Sequence, residues 1–243
     1  MIKAPVLVVL HQERSTPGRV GQRLRERGFA LDIRKPRFGD PLPRTLANHS
    51  GAVIFGGPMS ANDPDDYVKR EIDWINVALD EKAPFLGLCL GAQMLAKTLG
   101  GRVAPHADGL TEIGYYPIEA TDAGRSLFGP WPKAVFQWHC EGILETPGAT
   151  RLAGSAHFPV QAFRSGERAY GFQFHPEVTL AMHHRWLTLG AHRLGLPGAQ
   201  TREQHLKGRM IHDRPLSRFL DGFLDHWIGD VASRTDDFSI AAE

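Results

Sequence analysis

Cys89 stands in Gly87-Leu88-Cys89-Leu90-Gly91, with glycines two residues before and two after a potential nucleophile. That spacing follows the logic of a nucleophile elbow, where small neighbours let a strand and a helix crowd around one sharply turned residue. The turn presents the sulfur to a substrate. A helix N-terminus behind it favours thiolate over thiol through unpaired N–H groups and the helix dipole. A cysteine is more often a small buried hydrophobe, and a five-residue pattern recurs by chance, so a base is required. Among twelve histidines, His175 differs in context, because Tyr170-Gly171-Phe172-Gln173-Phe174 delivers it to a Pro176-Glu177 turn. Histidine titrates near neutrality, so it can take a thiol proton and return it to a leaving amine. Glu177 can orient the ring, with Pro176 fixing the intervening backbone. The plainer reading, a glutamate capping the helix that follows, gives Cys89 no role.

Attack on an amide creates an oxyanion, which needs preorganised N–H donors. The candidates are the N–H of Leu90, directly after the cysteine, and that of Gly57 in Gly56-Gly57-Pro58-Met59-Ser60. Glycine permits close backbone approach to a substrate. Taken alone, the Gly-Gly-Pro stretch is equally an ordinary loop turn.

These residues must be held by elements that the hydrophobic pattern outlines. Val6 to Leu10, Ala30 to Ile33, Gly51 to Phe55 and Pro84 to Leu88 read as short buried strands. Helical spacing separates them: Pro17 to Gly28 with Val20 and Leu24 inward and Arg19, Arg23, Arg25 and Arg27 outside; a helix from Asp65 with Val68, Ile72, Ile75 and Leu79 on one face; and Leu90 to Leu99 closed by Gly100-Gly101. Strands alternating with helices imply an α/β fold, an open and mostly parallel sheet with helices on both faces. Such sheets place their chemistry at the carboxyl ends of the strands, where Cys89 falls. Further on, Ile113 to Glu119, Ala134 to Trp138, Val160 to Arg164 and Ala169 to Phe174 predict an antiparallel extension of the same sheet. Gly101 to Thr111 and Thr146 to His157 read as loops. A helix is expected over Val178 to Leu194, a polar break at Gly195 to Thr201, and a last helix over Glu203 to Ile228. On that helix Leu216, Phe219, Leu220, Phe223, Leu224 and Trp227 share a face that packs on the domain's own sheet or, alternatively, forms a dimer or partner surface.

The 243 residues, 42% of them hydrophobic, suit one large domain, or one plus an appendage. With 28 basic against 27 acidic side chains the charge is +1, which does not favour nucleic acid. No apolar run approaches membrane length, and Val6 to Leu10 is too short for a signal or spanning helix. Two cysteines make no disulfide framework, so the reducing cytoplasm is the expected compartment.

Together, Gly56-Gly57-Pro58-Met59-Ser60, Gly87-Leu88-Cys89-Leu90-Gly91-Ala92-Gln93 and Gly171-Phe172-Gln173-Phe174-His175-Pro176-Glu177-Val178-Thr179 resemble, in motif and order, the class I glutamine amidotransferase family. The likeness is to a stand-alone glutaminase-type domain similar to the amidotransferase domain of GMP synthase. It spans Val6 to Leu194, which sets a domain at 1–194 and a C-terminal helical extension at 195–243. The resemblance implies a flavodoxin-like sheet, a Cys89-His175-Glu177 triad, oxyanion donors at Gly57 and Leu90, and Gln93 holding the glutamyl group. Trp138 and His139 would line the glutamine pocket, although Cys140 and Glu141 follow where relatives that feed synthetases commonly have a small residue and an aspartate. No metal or organic cofactor is implied. The reaction would run through a γ-glutamyl thioester. If ammonia leaves, a separate ATP-dependent synthase is needed, since neither Gly-x-x-x-x-Gly-Lys-Ser/Thr nor Ser-Gly-Gly-x-Asp-Ser occurs here. If a larger amine leaves, the chain is a free-standing γ-glutamyl hydrolase or peptidase. A catalytically silent binding module is the third alternative.

Overall fold

Val6, Val8 and Leu10 enter one hydrophobic core and Leu7 and Val9 enter another, so the first strand is buried on both faces. That is the situation of a central strand in a parallel sheet with helices on each side. A computed structural model describes residues 3–127 and 130–229 of the chain, so the part of the expected 195–243 extension beyond residue 229 lies outside the described residues. The strands are β1 (Val6–Val9), β2 (Leu31–Arg34), β3 (Gly51–Ile54), β4 (Phe85–Leu88), β5 (Arg102–Pro105), β6 (Glu112–Pro117), β7 (Glu119–Ala120), β8 (Ala134–His139), β9 (Glu141–Glu145), β10 (Thr150–Gly154), β11 (Ala162–Ser165) and β12 (Ala169–Phe172). The helices are α1 (Gly18–Glu26), α2 (Asp66–Asp80), α3 (Leu90–Thr98), α4 (Asp122–Leu127), α5 (Leu180–Leu189) and α6 (Arg202–Ile228).

The main sheet has eight strands in the order β2-β1-β3-β4-β12-β11-β10-β7. The first five are parallel, and β11, β10 and β7 add to β12 in antiparallel fashion. The expected α/β class and mostly parallel sheet are therefore present. The antiparallel extension needs correction in detail. β6 pairs with β8 and β5 with β9 outside the main sheet, so of the expected extension Ile113 to Pro117 and Ala134 to Trp138 form a separate ribbon, and only Glu119 reaches the sheet edge, in β7. The loops expected at Gly101 to Thr111 and Thr146 to His157 each contain a strand, β5 and β10. Neither carries a β-branched run: β5 ends in Pro105, and β10 buries only Leu152 and Ala153.

α2 and α3 cover one face of the sheet, while α1 and α6 cover the other. On α6, Leu216, Phe219, Leu220, Phe223, Leu224 and Trp227 are at most 4% exposed and share a core with β1, β4 and β12. That face therefore packs on the domain's own sheet. The helix opens with a reciprocal cap in which Gln204 N donates to Thr201 Oγ1 and Thr201 N donates to Gln204 Oε1. Three of the arginines expected to face outward on or just beyond α1 instead face α6: Arg19 meets Asp213 at 2.9 Å, Arg23 meets Asp221 at 3.0 Å and Arg27 meets Asp225 at 2.7 Å. The helix expected over Val178 to Leu194 stops at Leu189, and a 3-10 turn spans Ala191–Gly195. Gly190 ends it: a Cβ there would lie 2.6 Å from the Trp138 ring.

Candidate active site

Four neighbouring strands of the sheet, β1, β3, β4 and β12, bring their carboxyl ends together, as expected for a ligand crevice in an open α/β sheet. Cys89 follows β4 and caps α3 with φ 50° and ψ −103°, a left-handed conformation rare for a side-chain-bearing residue. The glycines around it are sterically required. A Cβ on Gly87 would lie 2.4 Å from the Gly91 carbonyl oxygen, and one on Gly91 would lie 2.1 Å from that of Ile54. α3 is thereby pressed against the sheet, and the Leu90 N–H heads a helix whose first donors lack intrahelical acceptors.

His175 leaves β12 with its backbone N–H bonded to the Phe136 carbonyl at 2.8 Å. Its ring neighbours both Cys89 and Glu177: Nδ1 is 2.8 Å from Glu177 Oε1, and the Cys89 sulfur is close enough to raise the imidazole pKa. All three residues are nearly buried. Burial alone would lower the imidazole pKa, but the Glu177 carboxylate, with the Cys89 sulfur beside it, outweighs burial and pushes it up to about 10. Trp186 closes one side of the ring edge-on, with centroids 4.9 Å apart. Gly56 fills the other, since a Cβ there would be 2.9 Å from His175 Cε1 and 3.4 Å from Cys89 Cβ.

Cys89, His175, Glu177, Gly57 and Trp138 all line one cavity of about 650 Å³. Leu90 follows Cys89 in the chain and is not itself on that wall. Gln93 and His139 are placed differently. Gln93 is buried, and its Nε2 donates to the Glu141 carbonyl at 2.8 Å and to Gln173 Oε1 at 3.2 Å. His139 is buried beside Glu112, with Nε2 3.1 Å from Oε2. Burial favours the neutral acid at Glu112, but His139, Ser155 and Gln161 together hold its carboxyl below the usual range. Cys140 is a free thiol that accepts from Arg193 Nη2 at 3.0 Å, and Glu141 hydrogen-bonds Ser60.

Residues 9–193 match the sequence model of the class I glutamine amidotransferases. The chain belongs to that family. It is 31% identical over 182 residues to the glutamine amidotransferase-like protein YfeJ of Salmonella typhimurium, covering 71% of this chain and 75% of YfeJ. To the GMP synthase of Aeropyrum pernix it is 34% identical over 192 residues, covering 76% of this chain but only 36% of that protein. Among solved structures, a glutamine amidotransferase of Methylobacillus flagellatus superposes with TM-score 0.86 at 27% identity over 93% of this chain and 95% of that one. A glutamine amidotransferase of Thermotoga maritima gives 0.82 at 30% identity over 93% and 98%. Glutamine hydrolysis is the general chemistry of this amidotransferase family. Among the described residues no helix is long and apolar enough to cross a membrane.

Two further side chains in this amidotransferase-family chain touch the site without having been given a role from sequence. Gln173 Nε2 points at Cys89 Sγ from 3.7 Å, backed by Gln93. Strand alternation was its available signal, because Gly171, Gln173 and His175 share one face. The other is His11, just past β1, paired with Glu71 at 2.7 Å with both side chains fully buried. Its Nδ1 lies 3.2 Å from the Gly56 carbonyl, which can only accept, so Nδ1 carries a hydrogen. The peptide is trans, so anchoring that carbonyl sends the Gly57 N–H the opposite way.

Proposed function

We propose that the chain hydrolyses the γ-glutamyl amide of glutamine or a related compound through a γ-glutamyl thioester on Cys89. The observation that carries this is the imidazole of His175 held between the Cys89 sulfur and the Glu177 carboxylate. An imidazolium with a pKa of about 10 pairs with a thiolate, which is the nucleophilic form of cysteine. Attack on the γ-carbonyl forms the S–C bond, and the N–H groups of Gly57 and Leu90 receive the developing oxyanion. His175 then gives its proton to the departing nitrogen. Once the sulfur is acylated its negative charge is gone, so the imidazole holds a proton less tightly. It can now act as base toward the water that releases glutamate. Glu177 keeps Nδ1 protonated and the ring aligned throughout. Where ammonia is the product, a separate synthase subunit would receive it.

The test is release of glutamate from glutamine and γ-glutamyl peptides. Cys89→Ala is expected to abolish turnover, and Glu177→Gln to lower kcat by about 10²–10⁴-fold. Intact-mass detection of an acyl adduct on the wild type, absent from Cys89→Ala, would establish the intermediate. Undiminished activity of Cys89→Ala would end the proposal. A second reading, a free-standing γ-glutamyl hydrolase, is favoured by the size of the cavity.

A further inference from the structure

The cavity into which Cys89 opens exceeds what free glutamine needs. Its volume of about 650 Å³ falls among sites that enclose drug-sized ligands, roughly 300–1,000 Å³. Beyond the reacting groups the wall becomes aromatic, then cationic. Trp138 and Trp186 meet edge to face with centroids 5.8 Å apart, and Met182 and Leu189 extend that apolar surface. Arg14, Arg185 and Arg193 stand around it. The one carboxylate on the wall, Glu177, is committed to His175.

Two of the three guanidinium groups are placed by contacts that do not neutralise them. Arg193 lies 5.9 Å over the Trp138 ring and donates to the Cys140 sulfur, while Arg185 donates to the Arg14 carbonyl at 3.2 Å. None has an acidic side chain within ion-pair distance among the described residues, whereas Arg19, Arg23 and Arg27 each have an aspartate on α6. Uncompensated guanidinium groups at a cavity wall select carboxylates, and paired indole rings select a flat or bulky apolar body. Ammonia offers neither. The α-carboxylate of the glutamyl group can engage one of the cations, leaving the others for the leaving side.

We propose that the substrate is a γ-glutamyl amide whose leaving amine is itself an amino acid or short peptide with a large apolar side chain. Trp138, Trp186, Arg185 and Arg193 form the subsite for that amine. This rests on the thioester chemistry proposed above. The S–C bond to Cys89 forms as the C–N bond breaks, His175 supplies the proton to the amine nitrogen, and water then frees glutamate, with no change of oxidation state.

The experiment compares kcat/KM for glutamine, γ-glutamylphenylalanine and γ-glutamylphenethylamine, which keeps the ring and lacks the carboxylate. The dipeptide is expected to exceed each of the others by about 10- to 10²-fold, the range for a charged hydrogen bond. In the Arg185→Gln, Arg193→Gln double variant, the preference for dipeptide over phenethylamide should vanish. Calorimetry on Cys89→Ala should show the dipeptide binding and the phenethylamide binding more weakly. Turnover of glutamine at a rate equal to or above that of the dipeptide would overturn the subsite while leaving the thioester chemistry standing. Equal use of both phenyl substrates would do the same. Silence on every substrate would overturn both.

Discussion

Burial works against a charge on His175, and the Glu177 carboxylate with the Cys89 sulfur overcomes it and raises the imidazole pKa to about 10, which makes the ring a direct reporter on both of them. Glu177→Gln should bring the imidazole pKa down from about 10, because the carboxylate charge is the largest single influence raising it, and removing the sulfur in Cys89→Ala should lower it as well. Nitrogen-detected NMR titration of the ring measures this. A ring still protonated near pH 10 in both variants would contradict the arrangement. His11 and Glu71 invite a different test, since His11→Ala would strand a fully buried carboxylate and cost about 3–5 kcal/mol. Replacing both by leucine or methionine should cost less, as read by denaturant unfolding; a double variant no better than the single would remove the pair from the account. The grouping of Cys89, His175 and Glu177 was legible because the motifs that carry them are short and local. Gln173 and His11 were not, because their meaning lies in partners 84 and 60 residues away along the chain.

α5 and α6 meet over two histidines, His183 and His205, whose rings are fully buried with centroids 5.7 Å apart. Desolvation, with Arg209 and His205 nearby, lowers the His183 pKa to about 3, and desolvation lowers that of His205 to about 4. Both are neutral in the fold, whereas an unfolded chain protonates them near 6.5. Their contribution is therefore intact above pH 6.5 and lost as pH falls toward 4, by up to about 1.4 kcal/mol per pH unit for each ring. Thermal melts between pH 7 and 4.5 should show this slope, and His183→Leu with His205→Leu should flatten it; an unchanged slope would mean the rings are not responsible. The helices were readable from apolar spacing, and Thr201 with Gln204 marks the start of α6. What escaped were β5 and β10, short segments whose pairing is set by β9 and by β11 and β7 instead of by their own composition.

At the scale of the molecule, α6 is structural. Burying Leu216, Phe219, Leu220, Phe223, Leu224 and Trp227 contributes about 10 kcal/mol or more, comparable to the whole net stability of a domain. A chain ending at Leu194 is therefore expected to lose cooperative folding, as circular dichroism and limited proteolysis would register. A truncated chain that melts cooperatively at the full-length temperature would refute this. The α/β class and parallel order followed from alternating apolar strands and amphipathic helices, which are properties of neighbouring residues. The sheet's far edge did not follow, because whether β6 joins β7 in the sheet or leaves it for β8 depends on three-dimensional crowding that no local pattern records.

The backbone at Cys89 carries a φ of 50°, which costs a residue with a side chain about 1–3 kcal/mol and costs glycine almost nothing. Stability alone would thus drive position 89 toward glycine, and that exchange would improve the fold while erasing the sulfur. Cysteine at this position is thus held at a cost to the fold, and what it gives in return is a sulfur on the wall of the cavity.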